Sequence, residues 1–428
     1  MKMNHKKIYM EILEHINKVP VIDTHEHLES EDVRLNRTVD LFNTYLIHYA
    51  SSDLVSSGMG DNELAFLTGD STDMEKKWSV FKPYWERARN TTYCKSLISA
   101  TKGIYGIDDI NEDTYLLIDA KMKECNKKGF YKHVLKDLCN IEVSILDSDI
   151  RCDKEFFRSA IRMDRYIKFE SVDVIAEVEK QNNITVTGLS DWVEYINRAV
   201  ARYKKVYGIV CIKTAMAYER ILKYDKTSFF DAERIFDSVL AIRAKYGWNR
   251  LCDANLELKP LEDYLMHILV QCAAEQNLPV QIHTGLQERN GNYITNANPT
   301  HLINLFMEYP TVRFDLFHGG YPYSGELCAI AKNFRNVFVD LCWTHIISRE
   351  FTVRLIEELI DTIPMNKIFG FGGDYCFVEG VCGHLYMAKE NIALALANKV
   401  YKGYIGMDEA LHIGKRMLYD NPKEFFNL

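Results

Sequence analysis

Two histidines that end an apolar run, in the segment VIDTHEHL at residues 21–28, are the first candidates for chemistry. Residues two apart on a strand point to the same side of a sheet, so His25 and His27 could grip one metal ion together. Neutral imidazole is a common ligand of zinc and similar divalent ions. Taken alone, the pair is equally compatible with two polar residues in the first turn of a loop.

Four more residues of metal-ligand or acid–base type stand at the ends of later apolar runs, namely Lys213, His283, His318 and Asp374. A carboxylate beside the two histidines would complete a metal shell and offset the charge of the ion. Such an ion lowers the pKa of a bound water, whose proton Asp374 could take, while His318 could stabilise a developing oxyanion. The sequence therefore predicts a metal site in which Asp374, His318 and Lys213 are catalytic.

Lys213, at the end of the apolar run YGIVCIK, leaves three interpretations open. A buried lysine at this position could be carbamylated and bridge two metal ions. It could instead bind a substrate carboxylate as a free ammonium. The third interpretation is a salt bridge to Glu219 or Asp374.

Eight short apolar runs must position these residues. They begin near residues 21, 143, 158, 208, 280, 313, 337 and 368, and helical patterns separate most of them. Near-continuous apolar strands that alternate with helices indicate a parallel sheet, and eight such units predict an α/β fold of the (β/α)8 TIM-barrel type. Barrel enzymes build their sites at the carboxyl ends of the strands, where every candidate residue stands.

The interval of roughly 110 residues between the first two strands interrupts this regular alternation. It is rich in aromatic residues and helical in pattern, as in WSVFKPYWERARNTTYCKSL. We interpret residues 30–135, approximately, as a helical insertion that caps the barrel mouth, because structureless loops of that length are uncommon. We expect residues 1–428 to form a single domain.

The composition of the chain limits the kinds of partner that we expect it to bind. The chain has 52 Lys and Arg against 60 Asp and Glu, a net charge of −8, and no basic block typical of nucleic-acid binding. Apolar stretches stay shorter than the roughly 18 residues of a membrane span, and the N-terminal segment lacks the apolar run of a signal peptide. The 11 cysteines form no CxxC pair, which is typical of reduced thiols. We expect a cytoplasmic protein that acts on a small molecule, with a homo-oligomer possible.

Residues near the predicted strand ends suggest what is bound. The loop HGGYPYSGE carries Tyr321 and Tyr323, which can donate hydrogen bonds, and Arg162 and Arg220 could pair with a carboxylate. Both arginines could equally serve structural ion pairs. Trp343, after the seventh strand, could shape the pocket or merely pack. Together these residues predict a small polar substrate that carries a carboxylate.

The order HxH, Lys, His, His and Asp, at the ends of strands one, four, five, six and eight, resembles the amidohydrolase superfamily of metal-dependent barrel enzymes. The resemblance implies that His25, His27 and Asp374 form one metal shell joined by His283, with His318 as a further candidate. It also implies a divalent metal cofactor, with Zn²⁺ favoured, as one or two ions.

A narrower resemblance concerns the N-terminal third. PVIDTHEHL, LFNTYLIHYASSDLVSSGM and the aromatic insertion are similar to uronate isomerases, which share the early HxH and the long helical insertion. FHGGYPYSGELCAIAKNFRNVFVDLCW and FGFGGDYCFVEG resemble instead amidohydrolases of the amidohydrolase-2 type. Sugar-binding residues around strands six to eight would then not carry over.

These patterns favour a metal-dependent hydrolase that cleaves an amide, lactone or related C–N or C–O bond through a metal-activated water. One alternative is an isomerase that interconverts the aldose and ketose forms of a hexuronate. Another is a metal-binding barrel without catalytic activity.

Overall fold

One sheet of eight parallel strands, each paired with the next along the chain, forms the centre of the protein. A computed structural model describes residues 4–147, 150–169, 173–246 and 256–428. The strands are β1 (Val21–Glu26), β2 (Ile141–Leu146), β3 (Phe157–Arg162), β4 (Cys211–Thr214), β5 (Val280–Ile282), β6 (Phe314–Leu316), β7 (Val337–Asp340) and β8 (Ile368–Phe369). The predicted (β/α)8 architecture is confirmed.

The fourth strand begins slightly later than its apolar run predicts. A π-helical segment, Tyr203–Tyr207, extends the preceding helix, and Gly208 with φ 67° ends it in the left-handed region that glycine favours. The strand therefore begins at Cys211 rather than near residue 208.

Helices connect most successive strands. In the helix that precedes β4, the buried residues Leu189, Trp192, Ile196 and Val200 recur every three or four positions, so one face packs against the protein. The helices outside the interval between β1 and β2 are α1 (His5–Lys18), α9 (Val174–Asn182), α10 (Leu189–Arg202), α11 (Phe229–Tyr246), α12 (Lys259–Glu275), α13 (Ile303–Glu308), α14 (Ser324–Asn333), α15 (Thr344–Ile347), α16 (Arg349–Thr362), α17 (Val378–Lys402), α18 (Met407–Lys415) and α19 (Asn421–Phe426).

Helices occupy the interval between β1 and β2, where the sequence predicts a helical insertion. Many apolar residues of this interval, among them Trp78 and Trp85, are buried, whereas Val33, Leu116 and Leu117 are exposed. That the insertion caps the barrel mouth, and that the chain is one domain, stay predictions. The insertion contains α2 (Glu31–Leu35), α3 (Leu41–Tyr45), α4 (Ala50–Ser56), α5 (Asp61–Thr68), α6 (Met74–Ala88), α7 (Thr92–Ala100) and α8 (Tyr115–Cys125).

The segment that follows β8 runs beside β1 and joins the two ends of the sheet. The backbone N–H of Asp374 donates to the carbonyl of His25 at 2.9 Å, and that of His27 donates to the carbonyl of Tyr375 at 3.1 Å. Backbone groups buried at this seam need such partners, since leaving them unpaired costs free energy. The last residues of the barrel are therefore held against the first strand.

Carboxyl groups occupy the inside of the barrel below the candidate site. Gln281 donates to Asp315 Oδ2 at 3.1 Å, and the backbone N–H of Cys342 donates to Asp340 Oδ1 at 2.7 Å. Burial raises the pKa of Asp340 to about 7, and burial together with the Asp340 charge raises the pKa of Asp315 well above its ordinary value. Ionised forms are costly here because the surroundings exclude water.

Replacing Asp340 by asparagine tests this electrostatic cost. The folded protein holds the Asp340 proton up to about pH 7, whereas the unfolded chain releases it near pH 4, so wild-type stability falls as the pH rises through this window. Asp340→Asn lacks the titrating proton. We expect its melting temperature relative to wild type to be higher at pH 8 than at pH 5, measured by thermal unfolding. An equal difference at both pH values would contradict this assignment.

Candidate metal centre and its cavity

His25 and His27 lie at and just beyond the end of β1, and their Nε2 atoms are 3.2 Å apart. The Oδ1 atom of Asp374 lies 3.6 Å from His25 Nε2 and 3.1 Å from His27 Nε2. The three predicted ligands from opposite ends of the chain therefore converge on one point.

These three atoms fit a single divalent ion. Zinc binds nitrogen and oxygen ligands at about 2.0–2.1 Å, which places neighbouring ligands of a tetrahedral site about 3.4 Å apart. The observed separations, 3.1 to 3.6 Å, bracket that value. Burial, with the charge of Lys213, holds the pKa of His25 well below its ordinary value, so the imidazole is neutral, as a ligand must be.

Asp374 owes its position to a clamp between β1 and the turn after β8. Its backbone is left-handed, with φ 56°, and Tyr49 of the insertion donates from its hydroxyl to the Asp374 carbonyl at 2.8 Å. On either side, the N–H of Gly373 donates to Asp23 Oδ1 at 3.0 Å and the N–H of Tyr375 donates to Glu26 Oε2 at 2.8 Å. Carboxylates of β1 thus fix the residues that flank the ligand.

The clamp leaves no room for a side chain at Gly373. A Cβ atom there would lie 1.8 Å from Glu26 Oε1, so we expect Gly373→Ala to destabilise the protein by more than about 1 kcal/mol and to lower its metal content. Thermal unfolding and elemental analysis measure the two effects. Gly325→Ala is the control, because no atom lies within 4 Å of its Cβ position in α14, and it should be neutral or slightly stabilising. Equal behaviour of the two variants would contradict the expectation.

The side chain of Lys213 ends beside the histidine pair. Its Nζ lies 3.4 Å from His25 Nε2 and 3.8 Å from the centre of the Phe317 ring, and burial lowers its pKa. Glu219 instead pairs with Lys168 at 2.5 Å, so the salt bridge to Glu219 considered above is not formed. A carbamylated lysine and a free ammonium both remain compatible with this position.

His283 and His318 form a second pair of facing imidazoles. Carbonyl oxygens only accept, so His283 Nε2 donates to Leu286 at 2.8 Å and His318 Nδ1 donates to Cys342 at 3.0 Å. Burial lowers the pKa of both rings, to about 4 for His318, so each is neutral and carries only that one N–H. The remaining nitrogens, His283 Nδ1 and His318 Nε2, face each other at 3.0 Å with lone pairs. This arrangement suits a shared cation.

Asp374 links the two histidine pairs. Its Oδ1 faces His25 and His27, while its Oδ2 lies 3.9 Å from His318 Nε2. The structure therefore brings the predicted Asp374 and His318 together, and it places His283 next to His318. The ligand role predicted for His283 fits its free nitrogen.

Several predicted substrate-binding residues lie elsewhere. The guanidinium of Arg220 pairs with Glu262 at 2.9 Å and with Asp263 at 2.5 Å, so Arg220 forms a structural ion pair with α12, and the prediction for it is wrong. Trp343 is buried and stacks on Tyr49 with ring centres 4.5 Å apart, so it packs behind the site.

Tyr321 and Tyr323 also lie outside the lining of the main cavity, contrary to prediction. The ring centres of Tyr321 and Phe351, a residue of α16, are 4.6 Å apart. Their position in a glycine-containing loop after β6 predicted exposure to a ligand, but loop sequence does not reveal the direction of a side chain.

A cavity of about 1060 Å³ opens beside the ligands. His27, Asp374, Lys213, His283 and Arg162 line it, as the sequence predicts for site residues. The lining also includes His48 and Glu219, and residues that the sequence analysis did not identify: Tyr49, Asp164, Arg165, Lys168, Tyr218, Glu288 and Arg289.

Two groups of the cavity lining have shifted pKa values. Burial lowers the pKa of His48 to about 4, and burial raises the pKa of Glu288, whose carboxylate also contacts Arg289 at 3.2 Å. The hydroxyl of Tyr218 accepts from the backbone N–H of Glu288 at 2.9 Å and so holds the glutamate in the cavity wall. Tyr218 and Glu288 lie in the loops after β4 and β5, beyond the strand ends that the sequence analysis considered.

The family described as amidohydrolase matches residues 255–428. The resemblance to amidohydrolases is confirmed. Protein fluG of Emericella nidulans is 25% identical over 226 residues, which make up 51% of this chain and 26% of fluG, so the chain spans about a quarter of that relative.

The likeness to uronate isomerases extends over the whole chain rather than the N-terminal third. A uronate isomerase of Cutibacterium acnes is 19% identical over 98% of this chain and 95% of that protein. The crystal structure of a uronate isomerase from Thermotoga maritima superposes with a TM-score of 0.79 at 16% identity, over 98% of this chain and 97% of that one. At this identity the superposition concerns the fold. None of the described helices combines the length and apolar composition that a membrane crossing requires.

Proposed function

We propose that the protein is a metal-dependent isomerase that interconverts the aldose and ketose forms of a hexuronate. The observation that carries the proposal is the whole-chain likeness to uronate isomerases, which covers 98% of the chain in both sequence and fold comparisons. The ligand set of His25, His27 and Asp374 at the edge of a polar cavity supports it. Zn²⁺ suits two imidazoles and one carboxylate.

A divalent ion held by these ligands would polarise the carbonyl oxygen and the neighbouring hydroxyl of the sugar. The proton on C2 must then move to C1, and the hydroxyl proton on O2 must move to O1. Glu288 is our candidate for the carbon-to-carbon transfer, because its carboxylate lines the cavity and its raised pKa suits both taking and returning a proton. Asp374, whose oxygens face histidine rings, serves as a ligand.

Arg162 is the candidate for holding the sugar carboxylate. Its guanidinium pairs with Asp147, which fixes its orientation; its side chain is 40% exposed, and the residue lines the cavity. A guanidinium has five N–H donors, so the groups not used by Asp147 remain available to a carboxylate. This keeps the predicted substrate-binding role of Arg162 within the proposal.

Incubation of the protein with glucuronate or galacturonate in deuterated water tests the reaction. We expect a ketose that carries solvent deuterium, detected by NMR, because a carboxylate base exchanges its proton with solvent. Glu288→Gln should lower kcat by about 100-fold or more, since it removes the general base. Glu308→Gln, which alters a surface ion pair with Lys226, should leave the rate unchanged.

The outcomes separate the candidates. A ketose without deuterium would remove the proton-transfer role of Glu288, and absence of any uronate turnover would remove the isomerase. Hydrolysis of an amide or lactone under the same conditions would favour the second candidate, a metal-dependent hydrolase. The facing nitrogens of His283 and His318 beside Lys213 favour that candidate, because a second cation there could assist attack by water.

Metal dependence gives a separate prediction. His27→Asn removes a ligand whose Nε2 lies 3.1 Å from Asp374, so we expect the purified variant to lose most bound metal and activity. Elemental analysis gives the metal content, and added divalent ions should restore a chelator-treated wild type but not the variant. His133→Asn, at a half-exposed site, is the control. Full metal content in His27→Asn would contradict the proposed ligand set.

A further inference from the structure

Asp147 directly follows β2 and reaches the candidate metal centre from the side of that strand. Its backbone N–H donates to the carbonyl of Glu26 at 2.9 Å, which ties it to the strand that carries the histidine ligands. Its side chain is fully buried, and Oδ2 lies 3.8 Å from His25 Nε2. A carboxylate that follows β2, a strand outside the predicted ligand pattern, therefore lies next to the HxH pair.

The position of this carboxylate is compatible with a shared ion. Ligand atoms of His25, His27 and Asp147 all lie within 4.8 Å of one another. At metal–ligand distances of about 2.1 Å, adjacent ligands of an octahedral ion are about 3 Å apart and opposite ligands about 4.2 Å apart. Two ligands of one ion can therefore be at most about 4.2 Å apart, and Asp147 Oδ2 lies below that limit, 3.8 Å from His25 Nε2.

The Asp147 carboxylate can also accept a further hydrogen bond or bind a metal ion. Arg162 donates to Oδ2, whereas Oδ1 is buried and has no hydrogen-bond partner among the described residues. A buried carboxylate oxygen without a partner is costly, and an ionised carboxylate can accept at about four lone-pair positions. An arginine that donates to one carboxylate while that carboxylate binds metal is a common outer partner of metal ligands.

We propose that Asp147 is a further protein ligand of the metal centre, beside His25 and His27 of the β1 region. This inference rests on the proposed metal centre of His25, His27 and Asp374. Two carboxylates offset both charges of the ion, and their oxygens favour ions that accept mixed nitrogen and oxygen ligands in shells larger than four, such as Mn²⁺ or Co²⁺. Arg162 then both contacts Asp147 and lines the cavity.

The competing explanation is that Asp147 only anchors Arg162. Asp147→Asn distinguishes the two, because it keeps the shape of the side chain but removes a charged ligand. We expect its Mn²⁺ affinity, measured by equilibrium dialysis and elemental analysis, to fall at least about tenfold. The visible absorption bands of bound Co²⁺, which report ligand number and geometry, should also shift. Arg162→Gln should keep the wild-type Co²⁺ bands.

Asp164→Asn is the matched control. Asp164 is another carboxylate of the cavity lining, and its Oδ2 accepts from the Ala215 N–H at 2.8 Å, so it should leave Mn²⁺ affinity and the Co²⁺ bands unchanged. If Asp147→Asn alone does not fold because it leaves Arg162 unpaired, the double variant with Arg162→Gln removes both charges and should show the same loss.

Each outcome has a distinct meaning. Wild-type affinity and unchanged Co²⁺ bands in a folded Asp147→Asn protein overturn this inference and leave the proposed metal centre standing. Shifted bands in Arg162→Gln as large as those in Asp147→Asn also overturn it, because the effect would then pass through the ion pair. A wild-type protein that binds neither Mn²⁺ nor Co²⁺ instead overturns the metal centre itself.

Discussion

Hydrogen bonds between β1 and the segment after β8 hold the first and last strands together, and the candidate metal centre depends on them. They place Asp374 beside His25 and His27 with its backbone in a left-handed conformation. Side chains of β1 contribute as well, since the carboxylates of Asp23 and Glu26 accept from the two backbone N–H groups that flank Asp374. Glu26, between the two histidines, and Asp23, before them, thus hold Asp374, the third ligand, in position.

The protonation states of the buried groups follow from the exclusion of water from their surroundings. Buried histidines such as His318 are neutral because burial lowers their pKa, and buried acids such as Asp340 keep a proton because burial raises theirs. Charge is retained where it has a partner, as in the pair of Arg162 with Asp147. The barrel therefore keeps neutral imidazoles ready as ligands.

Much of the fold and part of the site could be predicted from the sequence. Apolar runs mark buried parallel strands, and a polar residue at the end of such a run points to the functional edge, which is why His25, His27 and Asp374 were identified. Asp147 meets the same criterion, since it follows β2 directly, and that signal could have found it.

Other parts could not be predicted, for physical reasons. Arg220 lies only a few residues beyond β4, but α12 offers it two carboxylates, and no local pattern reveals partners 42 and 43 residues away. Tyr49 comes from the insertion, where helical periodicity indicates which side of a helix is apolar but not which turn reaches the barrel. The facing nitrogens of His283 and His318 depend on which carbonyls their rings contact, which only coordinates reveal.

The seam between the two ends of the sheet also governs how the protein can be assembled. The bond from Gly373 to Asp23 spans 350 positions of the chain, so it belongs among the contacts of highest sequence separation, which close late and slowly in folding. During synthesis the histidines leave the ribosome long before Asp374 does. A nascent chain or a fragment that stops short of β8 therefore carries His25, His27 and Asp147 but lacks Asp374.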